Sequence, residues 1–197
     1  MVNTHKQMGG PSGALILSNE EKVARRISET TFPFLLATPY CNKFAALAVT
    51  LSELMTFGAE YADQIVRNAK ALASELDRLG VPVMCRRLGY TESHQVLLDV
   101  RGLGGFEAVS RLAEAHVICN KVPLPGDRWG ERSGLRLGVN EVTRRGMKEK
   151  EMKEIAGFIS RALAEKPSRI GAEVADYMRG YQKVKYCFDH AATMTQT

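Results

Sequence analysis

The 197-residue sequence is poor in the residues that build metal or disulfide scaffolds. Its four cysteines, Cys41, Cys85, Cys119 and Cys187, lie far apart with no C-x-x-C pair, and its four histidines do not cluster. Neither a zinc site nor a disulfide framework is indicated, and reduced thiols in a cytoplasmic setting are the expectation. No apolar run approaches the roughly 20 residues that a membrane-spanning helix needs. Met1 to Gly10 is polar, with nothing resembling the apolar stretch of a secretory signal, so neither a membrane nor export is expected. A charge block is also lacking. Lys and Arg outnumber Asp and Glu 27 to 22, giving a net charge of +5, but the basic residues are scattered among acidic ones and predict no nucleic-acid partner. With 45% hydrophobic residues, 25% charged residues and 17 glycines, the composition is that of a folded globular chain and excludes collagen and disorder.

Along the chain, the turn-rich Gly9-Gly10-Pro11-Ser12-Gly13 precedes an apolar run, Ala14 to Leu17, of strand length with no strand-like segment before it to pair with. Ser18, three residues before Glu21, predicts a capping box at a helix start. Phe32 to Pro39 is apolar and bracketed by prolines, predicting a loop with buried side chains. Between Lys43 and Gly80, apolar residues recur at spacings of three and four (Tyr61, Ile65, Ala69, Leu72, Leu76, Leu79), predicting one long helix or a pair broken near Gly58. Beyond Gly80 the pattern is that of a small α+β unit. It has β-like segments at Val81–Cys85, Gln95–Val100, Val117–Cys119 and Leu135–Val139, and helices over about Gly105–Ala115, Met147–Ala164 and Gly171–Cys187. Thr193 to Thr197 is a polar tail.

Three places carry candidate chemistry. Lys6 stands between Thr4-His5 and a glycine-rich turn, where backbone can approach a ligand closely. A lysine amine can form a Schiff base with a carbonyl cofactor, although a lysine in such a place can equally be a solvated charge. In Ser133-Gly134-Leu135-Arg136-Leu137-Gly138, alternation puts Arg136 on the face opposite Leu135 and Leu137. Its planar fork suits a carboxylate, with a solvent-facing arginine or an internal salt bridge as the alternatives. In Thr143-Arg144-Arg145-Gly146-Met147, Thr143 or a neighbour could cap a helix beside two arginines, solvated or touching an anion. The Gly9–Gly13 run is no Walker loop, since no Gly-Lys-Ser/Thr ending follows. His94 and His116 have no adjacent nucleophile and read as structural.

Taken together, Thr4-His5-Lys6-Gln7-Met8-Gly9-Gly10-Pro11-Ser12-Gly13-Ala14-Leu15-Ile16-Leu17, Asn68-Ala69-Lys70-Ala71-Leu72, Asn120-Lys121, Ser133 to Gly138 and Thr143 to Glu149 resemble the serine hydroxymethyltransferase family over about Thr4 to Ala164. The resemblance implies an α/β fold. It would be the C-terminal part of a pyridoxal-phosphate-dependent transferase of fold type I, made of a large-domain fragment (1–58), a connecting helix (59–80), a small α+β domain (81–190) and a tail (191–197). It implies that Lys6 is the Schiff-base lysine, that Thr4 and His5 are cofactor-side neighbours, and that Arg136 holds the carboxylate of a small amino-acid substrate. The implied reaction is cleavage or formation of the Cα–Cβ bond of a β-hydroxy amino acid, interconverting serine and glycine.

Two departures bear on that implication. Phe32 to Pro39 replaces a glycine-rich loop that reaches the cofactor phosphate across the dimer interface, and Val122 replaces an asparagine that contacts folate. Tetrahydrofolate use is thereby put in doubt, and a folate-independent threonine transaldolase or aldolase becomes an alternative. In the family, the aspartate on the pyridine nitrogen and the histidine stacked on the ring precede the lysine, whereas only Met1 to His5 do so here. The implied partner is a complementary N-terminal chain in a homo- or hetero-oligomer, covering the edge of an incomplete parallel sheet. A non-catalytic structural or regulatory subunit is the remaining alternative.

Overall fold

The Gly9–Gly13 turn folds the chain back so that Val2–Asn3 (β1) pairs antiparallel with Ala14–Leu15 (β2), in a computed structural model that describes residues 1–164 and 168–188. A strand does precede the Ala14 run after all. β2 itself is only two residues long, and Ile16 and Leu17 are exposed beyond it. The first helix, α1 (Glu21–Glu29), starts without the expected capping box: Glu20 is its N-cap and makes no side-chain cap, while Ser18 Oγ accepts the Glu20 N–H instead. The Phe32 region is a loop only in part: Thr30–Leu35 winds into a helical turn interrupted at Phe32, which is extended at φ −129°, Leu36 to Pro39 belongs to no regular element, and none of these side chains is buried. Phe34 is 82% and Leu35 74% exposed.

The long apolar stripe forms one unbroken helix, α2 (Cys41–Arg78), in which Tyr61, Ile65, Ala69, Leu72 and Leu76 are all buried. Gly58 does not break it. A glycine costs only about 1 kcal/mol against alanine in a helix interior, less than a packed face supplies. Leu79 falls past the helix end and is exposed, because Gly80, at φ +80°, turns the chain.

Two compact units result. One is built from Met1–Ala59 with Cys187 and Phe188, and the other is Glu60–Tyr186; α2 passes from the first into the second. In the first, Phe188 packs edge-on against Phe57 at 5.7 Å, and its N–H donates to Glu53 Oε1 at 3.2 Å.

The second unit is centred on an antiparallel sheet of Gln95–Asp99 (β3), Asn120–Val122 (β4) and Gly134–Gly138 (β5), in the order β3-β5-β4. No parallel pairing occurs among the described residues. Gly105–Glu114 (α3), Asn140–Arg144 (α4), Glu149–Ala164 (α5) and Ser168–Arg179 (α6) complete it. The core joins Leu98, Leu135 and Leu137 of the sheet to Leu72 and Leu76 of α2, Leu112 of α3, Met152 and Ile159 of α5 and Ile170 of α6. Each such side chain contributes about 1.5–3 kcal/mol by leaving water.

Several boundaries move. Val81–Cys85 forms no strand, only a bridge from Val83 to Leu98, and Cys85 adopts φ +61°. The apolar Val117–Cys119 precedes β4 rather than forming it: His116 takes φ +59° and the Val117 N–H still bonds the Leu112 carbonyl of α3. The last helix ends at Arg179, not Cys187. Thr143 lies inside α4 and does not cap a helix. The tail expected over 191–197 lies outside the described residues.

Gly105 marks a close approach. A Cβ there would fall on the Arg132 carbonyl oxygen, a backbone atom that a rotamer change cannot move aside. Gly105→Ala is expected to lower unfolding free energy by roughly 2 kcal/mol, read from a denaturant melt of the chain. An unchanged midpoint would show that the loop carrying Arg132 yields freely.

Candidate functional site

The lysine sits on a turn braced from both sides. The Thr4 N–H donates to Gly13 O at 3.1 Å, the Gly10 N–H to Thr4 O at 2.9 Å and the Gly9 N–H to Lys6 O at 3.2 Å. Thr4 is buried and its hydroxyl donates to Pro11 O at 2.5 Å. His5 Nδ1 lies 3.3 Å from Gly13 O and 3.4 Å from Gly13 N, so either tautomer finds a backbone partner. Gly10 packs closely here: a Cβ would sit 3.1 Å from Thr50 Cγ2 and 3.2 Å from Thr4 O, so those neighbours would have to give by a few tenths of an ångström. The result is a fixed backbone carrying an exposed lysine that no carboxylate among the described residues pairs with. Thr4 and His5 are both tied to the backbone of this turn by hydrogen bonds.

Arg136 belongs to the other unit, at the middle of the central strand β5. Leu135 and Leu137 are buried on one face, and Arg136 is exposed on the other. Leu97 of β3 and Asn120 of β4 lie directly opposite it. Val122, two residues on, shares the Asn120 face. Among the described residues no carboxylate pairs with Arg136, so its fork can receive an external one in bidentate geometry. His94, half-buried at the entry to β3, has its pKa pushed down, first by burial and then by the Arg136 charge. Asn120 escapes sequence reading as a neighbour of Arg136, because cross-strand register brings it there and no motif signals it.

The loop before β5 is anchored by Asp127, which accepts the Ser133 hydroxyl at 2.5 Å and the Leu124 and Ser133 N–H groups at 2.8 and 3.0 Å. These bonds, the hydroxyl's foremost, hold its carboxyl down to about 2. Of the other candidates, Arg145 is engaged with Glu141 at 2.8 Å and with Tyr181 O at 3.1 Å, and Arg144 lies over the Tyr61 ring at 5.8 Å. Burial pushes the Cys119 thiol up to about 11, which keeps it protonated at neutral pH and removes it as a nucleophile. No group of three or more potential metal ligands exists among the described residues, and no helix there is long and apolar enough to cross a membrane.

The family profile described as serine hydroxymethyltransferase matches residues 1–159. The chain belongs to the serine hydroxymethyltransferase family. Among curated members, the serine hydroxymethyltransferase of Methanocella arvoryzae is 45% identical over 193 residues, which cover 95% of this chain and 45% of that protein. That of Saccharolobus islandicus is 43% identical over 194 residues, with the same two coverages. The chain thus spans about half the length of the curated relatives it matches. Among solved structures, an L-threonine transaldolase from Pseudomonas fluorescens in its internal aldimine state superposes with a TM-score of 0.83 at 28% identity, over 96% of this chain and 44% of that one. The α/β architecture is accordingly that of part of a fold-type-I transferase in this serine hydroxymethyltransferase family member.

Proposed function

We propose that this chain supplies one part of a pyridoxal 5'-phosphate-dependent enzyme that makes or breaks the Cα–Cβ bond of a β-hydroxy amino acid, with serine and glycine as the exchanged pair. The observation that carries this reading is the Thr4-His5-Lys6 turn: an exposed amine on a backbone held by four hydrogen bonds, in a chain of this family. The residues present fit the aldehyde end of the cofactor. Lys6 offers the amine, on a turn whose backbone is held by the Thr4, Gly9 and Gly10 N–H bonds. When bound, the cofactor supplies a conjugated, electron-withdrawing ring to take up the pair released at Cα. Lys6 would hold the cofactor through its Nζ amine, and that same amine would be the group able to move a proton at the substrate Cα. Arg136 would grip the substrate carboxylate and so orient the substrate's Cα.

The chain spans 45% of the length of its relatives, so the remainder of the site is supplied, in this reading, by the part of such a protein that these residues do not cover. A second reading, a folate-independent threonine transaldolase, draws support from the likeness to the Pseudomonas fluorescens enzyme and from Val122 on the Arg136 face, whose side chain can neither donate nor accept.

The test joins this chain to the N-terminal part of the Methanocella arvoryzae relative by co-expression, with pyridoxal phosphate in the medium. A yellow complex that converts serine and tetrahydrofolate to glycine is the expected result. Turnover of threonine with an added aldehyde, and none of serine, selects the transaldolase reading. A colourless, inactive complex leaves a non-catalytic subunit.

A further inference from the structure

We propose that Asn68 and Thr143 are positioning residues for Arg136, forming with Gln64 a buried polar ladder by which α2 fixes the corner that ends the arginine's strand. This rests on the assignment of Arg136 to the substrate carboxylate.

Gln64, Asn68 and Thr143 are all buried. Tyr61, Gln64 and Asn68 follow one another along α2 at spacings of three and four, and so share a face. Asn68 Nδ2 donates to Thr143 Oγ1 at 2.8 Å and to Met147 O at 2.9 Å, while its Oδ1 accepts from Gln64 Nε2 at 2.9 Å. Gln64 Nε2 reaches Glu149 Oε2 at 3.2 Å, and Tyr61 OH donates to Asn140 O at 3.1 Å. Thr143 Oγ1 passes the chain on, donating to Val139 O at 2.7 Å.

Val139 is the residue that follows β5. Its N–H donates to His94 O at 3.2 Å, adding one rung to the β3–β5 ladder just past the Gln95–Gly138 pair, three residues from Arg136. A contiguous set of hydrogen bonds thus runs from α2 through Asn68, Thr143 and Val139 to the surroundings of Arg136.

Stability does not require this arrangement. Apolar side chains of the same volume would hold a corner packed against so apolar a core about as well. A fully satisfied polar network contributes something different, one permitted geometry, and no buried side-chain donor or acceptor among the described residues lacks a partner. Helix α4 is five residues long and cannot fix its own orientation. The ladder does so from outside.

The complemented enzyme tests this. Thr143→Val keeps the shape and removes both hydroxyl bonds; it is expected to raise the KM for serine about tenfold while kcat stays within about twofold. Thr143→Ser restores the hydroxyl and the KM, and amide exchange at Leu137–Val139 quickens only in the valine variant. A lowered melting temperature with unchanged KM reduces the ladder to a structural feature and overturns the proposal. Should Thr143→Val fail to fold, Gln64→Met, which leaves the Asn68–Thr143 bond in place, decides: a rise of about threefold in KM supports the role, and none overturns it. A KM that Arg136→Ala leaves unmoved instead overturns the carboxylate assignment, a result distinguishable from failure of the ladder alone.

Discussion

Lys6→Ala in the complemented enzyme is expected to abolish the yellow absorbance and to cut turnover at least about a thousandfold. Alanine has no amine with which to hold the cofactor and none with which to move the Cα proton afterwards, so two contributions are lost together. The fold is not at risk. The bonds that brace the turn, Gly9 N–H to Lys6 O, Gly10 N–H to Thr4 O, Thr4 N–H to Gly13 O and the Thr4 hydroxyl to Pro11 O, do not involve the lysine side chain, which is exposed. Circular dichroism and the melting temperature should match the unaltered protein. Lys6→Arg separates charge from bond formation: it keeps the cation and cannot make the covalent link, so it should be as colourless as the alanine variant. Lys43→Ala serves as the control. Its ammonium lies over the Tyr40 ring at 4.9 Å in the same unit, and its loss should leave colour and activity in place. A Lys6→Ala complex that stays yellow would sink the assignment of this turn.

The parts of the fold that periodicity governs were legible in the sequence. Alternation in Leu135-Arg136-Leu137 put the arginine on the open face of β5, and spacings of three and four from Tyr61 to Leu76 drew the buried face of α2, because both patterns report which side of an element leaves water. What was misplaced depended on partners far along the chain. Phe34 and Leu35 read as buried because they are apolar, yet hydrophobicity states a preference without naming what would cover the side chain. The Val117–Cys119 run has strand composition, but the Leu112 carbonyl claims the Val117 N–H and β4 begins three residues later. Thr143 sits in a sequence that suggests a cap, and its hydroxyl is instead committed to Asn68, 75 positions away. The candidate site divides in the same manner. Its lysine turn is local in sequence and could be read there, whereas the Leu97 and Asn120 surroundings of Arg136 exist only through strand register.

Arg136→Ala is expected to raise the KM for the amino-acid substrate about a hundredfold, since removing one partner of a hydrogen-bonded charge pair costs roughly 3 kcal/mol and each 1.4 kcal/mol is a factor of ten. Turnover at saturation should fall less, because the carboxylate bond forms on binding and persists through the reaction. Arg136→Lys keeps the charge and loses the two-pronged geometry, so an intermediate rise of about tenfold is expected. Folding should tolerate both changes. The side chain is exposed, no carboxylate of the described chain depends on it, and the strand is held through backbone bonds to β3 and β4 on either side. Added guanidinium ion should restore part of the affinity lost in the alanine variant. An amino alcohol lacking the carboxylate gives the sharper control, because it cannot use the fork at all: its binding should be the same to the unaltered and alanine forms. Equal losses for serine and for the amino alcohol would mean that Arg136 shapes the site in general, and the carboxylate role would have to pass to another cation.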